Sequence, residues 1–455
     1  MKKRMYKIMA LAMTAAMVVP MAAQTTAFAA DDKEITYWNI AVESPDKDIV
    51  TTAVDKFNKE TKSGYTVNSV AIQNDTYKEK LVIAMSSGEC PDMYSSWSGG
   101  PMYEYIDSGF AQPIDDLLDQ SDIKDKLLDA AIEQGSYNGH VYAIPYLNVS
   151  LAGIFYNKDM FKQYGLEEPK TLADLENICA TLKENGITPF ALANGSKWTG
   201  SMYFMSLAAR YGGLEPFQNA VAGTGKFTDD CFIKAGEKIQ EWVNNGYFPD
   251  GVNSLSEDDG QAKQLMYQET AGMLLCGSWY TGTFQTDSEE FYQKIGWFPF
   301  PAIDDSDADP TIQIGTVGDQ FISFNCEGDK LAAAFECATD HLSDEVEDMI
   351  YSTGKIAPVK DAGDHISDPV VKEIFDAAQK ASSIQLWYDQ YLPTSVATAH
   401  LDGLQEVFGL TKTPQEAQEE MQTAMDEYLS TKSDSGAADD TAEEATDDAA
   451  ADDAE

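Results

Sequence analysis

The sequence predicts an α/β fold divided into two lobes, each a mostly parallel sheet flanked by helices. Three observations carry that prediction. The chain has 455 residues, enough for two domains at roughly 100–200 residues apiece. Strand-like and helix-like segments alternate through 34–97. A second alternating series starts beyond Pro145.

Taken in order, EITYWNI (34–40) reads as a strand. KDIVTTAVDKFNKET (47–61) sets Ile49, Val50, Ala53, Val54 and Phe57 at helical spacing. YTVNSVAI (65–72) alternates as a strand does, and DTYKEKLVIAMSSG (75–88) returns to helix. PDMYSSW (91–97) is a third strand entering a glycine-rich loop. A β-α-β-α-β series makes a parallel sheet with helices on its faces. Ligands of such sheets bind beyond the carboxyl ends of the strands. Further on, GHVYAIPY (139–146) is strand-like, and GIFYNKDMF (153–161) crosses from strand into helix. Thr171 caps LADLENICATLKENG, with Asp174 supporting its first turn. CFIKAGEKIQEWVNNG is a helix, with Trp242 on its core side. AGMLLCGSW, IGWFPFP (holding a core Trp297) and TVGDQFISFNC (316–326) read as buried strands. The remainder is largely helical and ends with TPQEAQEEMQTAMDEYL (413–429). No fixed-period repeat is visible.

The ends of the chain have their own chemistry. Lys2, Lys3, Arg4 and Lys7 precede an apolar run from Ile8 to about Ala23, and Ala27-Phe28-Ala29 fits a signal-peptidase site. The expectation is a secretory signal over 1–29, cleaved near Ala29. No cysteine stands there to carry a lipid anchor, the first being Cys90. The expected place of work is therefore outside the cell, or on the outer face of the envelope. SDSGAADDTAEEATDDAAADDAE closes the chain from Ser433 without an aromatic or large aliphatic residue. Such a segment buries too little surface to offset its ordering entropy, so 431–455 reads as a disordered acidic tail. The formal charge is −45, from 31 basic and 76 acidic side chains. Phosphate backbones need clustered Lys and Arg, which excludes nucleic acid as a partner class. The six cysteines are widely and irregularly spaced and read as buried free thiols.

Five stretches then carry a resemblance: YNKDMFKQYGLEEPKT, KLVIAMSSGECPDMY, AGMLLCGSWYTG, KIGWFPFPAI and VGDQFISFNCEGDKLAAAFECATDHLS. Their ordered set resembles the family 1 extracellular solute-binding proteins of bacterial ABC importers, over essentially all of 33–430. The resemblance implies a two-lobed periplasmic-binding-protein-like clamp with hinge crossovers between lobes. It implies capture of a sugar, most readily an oligosaccharide, and delivery to permease subunits in the membrane. The implied limits are 31–147 plus 311–357 for the first lobe and 148–310 plus 358–430 for the second. A monomer is expected, with no cofactor, no metal and no catalytic residue.

The residues themselves suit a sugar. Sugar C–H faces are apolar and their edges are hydroxylated, so aromatic rings on polar loops are needed beside Asp, Glu and Asn. Trp198 in NGSKWTG, Trp279 in CGSWYTG, Asp319 in TVGDQ, and Trp387 with Asp389 in QLWYDQYLP meet that pattern. Trp387 and Asp389, two apart, would point the same way on an extended backbone. The resemblance indicates the same late loop. Trp38 and Trp97 sit at ends of first-lobe strands, and Glu43 and Asn74 follow them as polar candidates. There is no H-E-x-x-H, G-x-S-x-G, Walker or G-x-G-x-x-G motif. DDSDADPTIQIGT lacks the glycine and the final glutamate of a calcium loop. The competing readings are a binder of polyamine or peptide, and a secreted glycoside hydrolase, whose two carboxylates need no motif.

Overall fold

The computed structural model describes residues 33–447, with side chains described for 33–432. The expected signal peptide and its cleavage site lie outside the described residues. Its strands are β1 Glu34–Asn39, β2 Thr66–Ala71, β3 Met93–Ser96, β4 Ala143–Tyr146, β5 Ser150–Asn157, β6 Thr188–Phe190, β7 Ala271–Gly277, β8 Ile295–Phe298, β9 Gln313–Thr316, β10 Gln320–Phe324 and β11 Ile384–Gln385; a short hairpin, Ser136–Tyr137 with His140–Val141, stands apart.

The first lobe is built on a five-stranded sheet in the order β2-β1-β3-β10-β4. β1 runs parallel to β2 and β3, as the alternating pattern predicts. The helix Asp46–Glu60 covers it through Ile49, Val50, Ala53, Val54 and Phe57, the five residues at helical spacing. The helix Asn74–Ser87 packs with Tyr77, Leu81, Ala84 and Met85. It ends at Gly88, whose φ of 75° is the left-handed conformation that glycine takes at least cost.

The second lobe centres on β5, which is buried along its whole length. β7 lies on one side of it, and β8 and β9 share the other, all antiparallel to it. β6 extends the sheet beside β7, and β11 beside β9, both in parallel. Asn157 ends β5 and starts the next helix, its Oδ1 accepting from the N–H groups of Asp159 (3.0 Å) and Met160 (3.1 Å). Thr171 and Asp174 form the expected capping box on Leu172–Glu184, a motif whose cap is worth about 1 kcal/mol. Trp242 and Trp297 are core, Trp242 stacking on Phe190.

Both sheets are mixed rather than mostly parallel. The chain visits each lobe more than once. Strands arriving from the other lobe, β10 above all, therefore enter from the opposite end. Leu147–Val149 links β4 to β5, and Val317–Asp319 links β9 back to β10. β9 thus belongs to the second sheet, which moves the return expected at 311 to 317–319. TVGDQFISFNC is correspondingly two strands, because the Thr316 hydroxyl donates to the Gly318 carbonyl (2.7 Å) and closes a turn between them. A third crossing lies within 361–368, later than the expected 358. Pro358 and Lys360 still bond the backbone of Leu128 and Lys126 in the first lobe. The helix Pro369–Lys380 already packs on β8. Asn148 joins the crossings: its Oδ1 accepts from the Ile356 N–H (2.8 Å) and its carbonyl from the Asp319 N–H (2.6 Å).

The last helix runs Pro414–Asp447. The helix continues past 431, where the acidic tail is expected to begin, and the last part of that expected tail, 448–455, lies outside the described residues. Ala417, Met421 and Met425 bury the first half and supply the costly nucleus. Extension through Ala and Glu then adds one hydrogen bond per residue. All six cysteines are unpaired, five of them buried and Cys90 half-buried. Among the described residues no helix is long and apolar enough to cross a membrane, and no His, Cys, Asp and Glu group is arranged to hold a metal ion.

Candidate ligand-binding site

A cleft lies between the lobes. Its inner part has a cavity volume of about 190 Å³, and an adjoining outer part, sharing the Asn74, Asp46, Glu257 and Trp279 walls, about 460 Å³. The size falls in the range of small-molecule sites. Seven of the residues expected from the sequence line the inner part: Asn74, Trp97, Trp198, Trp279, Asp319, Trp387 and Asp389. Glu43 lines the outer part. Trp38 does not reach the cleft. It packs in the first-lobe cluster of Tyr77, Leu81 and Tyr94, because a side chain on β1 is covered by the helix Asn74–Ser87.

Three tryptophans from three separate segments form one wall. Trp279 stands in the middle, 6.0 Å from the Trp198 ring and 5.9 Å from the Trp387 ring. Each sits where a loop enters a helix: Trp198 opens the helix Trp198–Gly212, Trp279 precedes Tyr280–Asp287, and Trp387 precedes the single turn Tyr388–Tyr391. The extended backbone expected for Trp387 and Asp389 is therefore absent. The two converge on the cleft because the chain turns into a helix between them. Trp387 is only 2% exposed, so little of its ring is open to the cleft. Trp279 folds back over Gly277, where a Cβ would come within 2.0 Å of its ring. No larger residue fits there with the indole in this position.

The facing wall comes from the helix Asn74–Ser87. Lys78, one turn beyond Asn74, reaches over the Trp97 ring at 5.0 Å and pairs with Asp389 of the second lobe at 3.2 Å. The Trp198 indole N–H donates to Asp75 (3.3 Å), and the Asp75 N–H donates to Asp258 (3.0 Å), both across the cleft. Behind the site, Gly99 and Gly100 let the first lobe approach the backbone of 390–393, where a Cβ at Gly100 would lie 2.3 Å from the Leu392 carbonyl oxygen.

Carboxyl groups dominate the polar lining. Burial pushes Asp319 up to about 7, against the pull of Lys355 and with the push of Asp46. Burial likewise pushes Glu257 up to about 7, opposed by the hydrogen bond from the Tyr280 hydroxyl. Lys355 is buried and paired with Asp46. Gln320, which also lines the inner part, accepts from the Tyr146 hydroxyl at 2.9 Å through Oε1.

Sequence reasoning missed Asp46, Lys78, Glu257, Gln320 and Lys355. Lys78 had a signal, four residues from Asn74 on one helix face. Glu257, in a loop of SEDDG, and Lys355, after a helix end, had none.

A family model described as bacterial extracellular solute-binding protein matches residues 41–338. The chain belongs to that family. This solute-binding protein is 32% identical over 228 residues to an uncharacterised ABC transporter extracellular-binding protein of Pyrococcus horikoshii, covering 50% of each chain. It is 30% identical over 178 residues to a multiple sugar-binding protein of Streptococcus mutans, covering 36% of this chain and 39% of that one. These matches span half or less of the relatives' own length. Among solved structures, one from work on xylan utilisation by Caldanaerobius polysaccharolyticus superposes with a TM-score of 0.78 at 29% identity, covering 86% of this chain and 99% of that one. A chitin oligosaccharide binding protein superposes with a TM-score of 0.79 at 23% identity, covering 87% and 98%. The two-lobed clamp is thus the fold of its structural neighbours.

Proposed function

We propose that this solute-binding protein captures a carbohydrate in the interlobe cleft and presents it to the permease of an ABC importer. The observation that carries the reading is the wall of Trp198, Trp279 and Trp387 opposed to hydrogen-bonding groups of the other lobe. Indole surfaces cover the apolar faces of a pyranose, while carboxylates and amides meet its hydroxyl edge. The connected outer cavity leaves room for further units, so an oligosaccharide suits the cleft better than a single sugar. The sugar-binding relative in Streptococcus mutans supports the ligand class. The role is binding rather than catalysis.

A thermal-shift screen over mono-, di- and oligosaccharides, with polyamines alongside, tests the reading. A ligand at 100 times its dissociation constant stabilises the folded chain by about 2.7 kcal/mol. Incubated oligosaccharide should be recovered intact. Shortened products would identify a hydrolase, and stabilisation by polyamines alone would replace the sugar reading.

A further inference from the structure

The charges of the cleft bear on which sugars it takes, an inference that rests on the carbohydrate reading. Three lysines line the inner and adjoining cavities, and each is already held by a carboxylate. Lys78 pairs with Asp389 at 3.2 Å, Lys263 with Asp287 at 2.9 Å, and Lys355 with Asp46. Among the described residues lining these two cavities, no lysine is left over to meet an acidic ligand. Two carboxyl groups of the inner lining, Glu257 and Asp319, have no ion-pair partner among the described residues, and neither have Asp258 and Asp259 of the outer lining. Glu257 accepts from the Tyr280 hydroxyl, and the Asp319 backbone N–H donates to the Asn148 carbonyl.

We propose that the cleft selects uncharged sugars and rejects sugar acids, with Glu257 and Asp319 as the specificity-determining residues. The physical ground is desolvation. A uronate entering this cleft sheds water and gains no cation in exchange, while its charge faces two carboxyl groups of the same sign. A neutral sugar carries hydroxyl donors that those carboxyl groups accept. Building an unfavourable element against the wrong ligand is a general route to specificity.

The same geometry makes the selectivity depend on pH. Lys263, Asp258 and Asp75 surround Glu257 besides Tyr280, and Lys355 and Asp46 face Asp319. Loss of solvation raises the pKa of both groups to about 7. Below that they are neutral and repel a uronate less. The uronate itself stays ionised down to the ordinary carboxylate range.

The experiment uses the full chain and matched trisaccharides: β-1,4-linked mannotriose and cellotriose, against trimannuronate and the cellotriose carrying a carboxylate at each C6. Dissociation constants are measured at pH 8 and pH 5.5. The uronates should bind roughly 100-fold or more weakly than their neutral partners at pH 8, since like-charge contacts are among the costlier mismatches in binding. The ratio should narrow at pH 5.5. Glu257→Gln with Asp319→Asn should narrow it at pH 8 as well, whatever that double variant does to neutral binding. Equal or tighter binding of the uronates at pH 8 overturns the selectivity and leaves the carbohydrate reading standing. Stabilisation by polyamines with no sugar bound overturns both.

Discussion

Lys78 of the first lobe and Asp389 of the second meet at 3.2 Å across the cleft, over the ring of Trp97. The Asp389 side chain is 8% exposed, so its carboxylate is largely desolvated where it meets the ammonium. Glu104 makes a parallel link at the rear: its carboxylate accepts from the Thr394 N–H (2.9 Å) and hydroxyl (2.6 Å), at the start of the helix Thr394–Phe408. A carboxylate at a helix N-terminus is favourably placed. The ion pair and the two Glu104 bonds join residues of different lobes and exist only while the lobes are close.

The first prediction concerns this ion pair. Lys78→Met and Asp389→Asn, singly and together, form a double-mutant cycle read by calorimetric titration with a sugar that binds. We expect a coupling of about 0.5–3 kcal/mol, the range for contacting residues. Additive effects would show that the pair does not help hold the closed form.

The second prediction separates the tryptophans. Trp279 is half-buried between two other indoles and exposes part of its ring to the cavity, while Trp387 is nearly enclosed. Trp279→Ala should weaken sugar binding by roughly 1–3 kcal/mol with a modest change in melting temperature. Trp387→Ala should lower the melting temperature as well, since Trp279 loses its partner. Unchanged affinity in a folded Trp279→Ala variant would remove the aromatic wall from the binding role.

These residues also show how far the sequence can be read. The stripe of Ile49, Val50, Ala53, Val54 and Phe57 and the capping box at Thr171 were legible because local periodicity and capping chemistry determine them. Aromatics on polar loops pointed to Trp198, Trp279 and Trp387, while the ends of first-lobe strands pointed to Trp97, which lines the cleft, and to Trp38, which packs in the first-lobe cluster. The difference is that the helix Asn74–Ser87 covers the Trp38 face of β1, and that is a tertiary fact. The crossing at 317–319 was hidden for a similar reason. Apolar runs on both sides of Thr316-Val317-Gly318-Asp319 look like one strand until two sheets separate them. Glu257 and Lys355 enter the site from loops whose own sequence is that of any solvated surface.

The third prediction is a pH dependence at Asp319. Its pKa is raised to about 7 by burial, so the folded state holds a proton that the unfolded state releases near 3.9. Between those values the folded chain binds more protons, and the stability contributed by this group rises as pH falls. Asp319→Asn removes a buried charge that exists only above about 7. The variant should therefore melt higher than the parent at pH 8, each kcal/mol giving about 2–4 °C, and the gain should vanish by about pH 4. A gain that persists unchanged at low pH would assign the effect to something other than the charge.

The fourth prediction has the opposite sign. His341 is lowered to about 4 and His400 to about 3, both by burial. Unfolding lets each recover its ordinary value near 6.5 and take up a proton. Their contribution to stability is thus complete above about 6.5 and is lost as pH falls toward 4. His400→Gln should flatten the acid limb of the melting-temperature profile while costing some stability at pH 8, because the Ser201 hydroxyl loses its 2.7 Å partner. An acid limb identical to the parent's would exclude His400 as a contributor.

The last prediction concerns the hinge. Asn148 is 1% exposed. Its Oδ1 accepts from the Ile356 N–H at 2.8 Å, its Nδ2 donates to Ser278 at 3.4 Å, and its carbonyl accepts from the Asp319 N–H. One residue thus fixes the first crossing to the second crossing, to the segment leading into the third, and to the end of β7. Asn148→Ala keeps the backbone bond to Asp319 and deletes the side-chain bonds, leaving the Ile356 N–H buried and unsatisfied at a cost of about 1–3 kcal/mol. We expect a lower melting temperature, and a ligand-free chain whose radius of gyration by small-angle scattering exceeds the parent's, because the lobes are less firmly held in register. Saturating sugar should contract both proteins to the same radius, since the cleft contacts are untouched. If the variant matches the parent in radius without ligand and in melting temperature, the crossings are held by packing alone and Asn148 is not the tie between them.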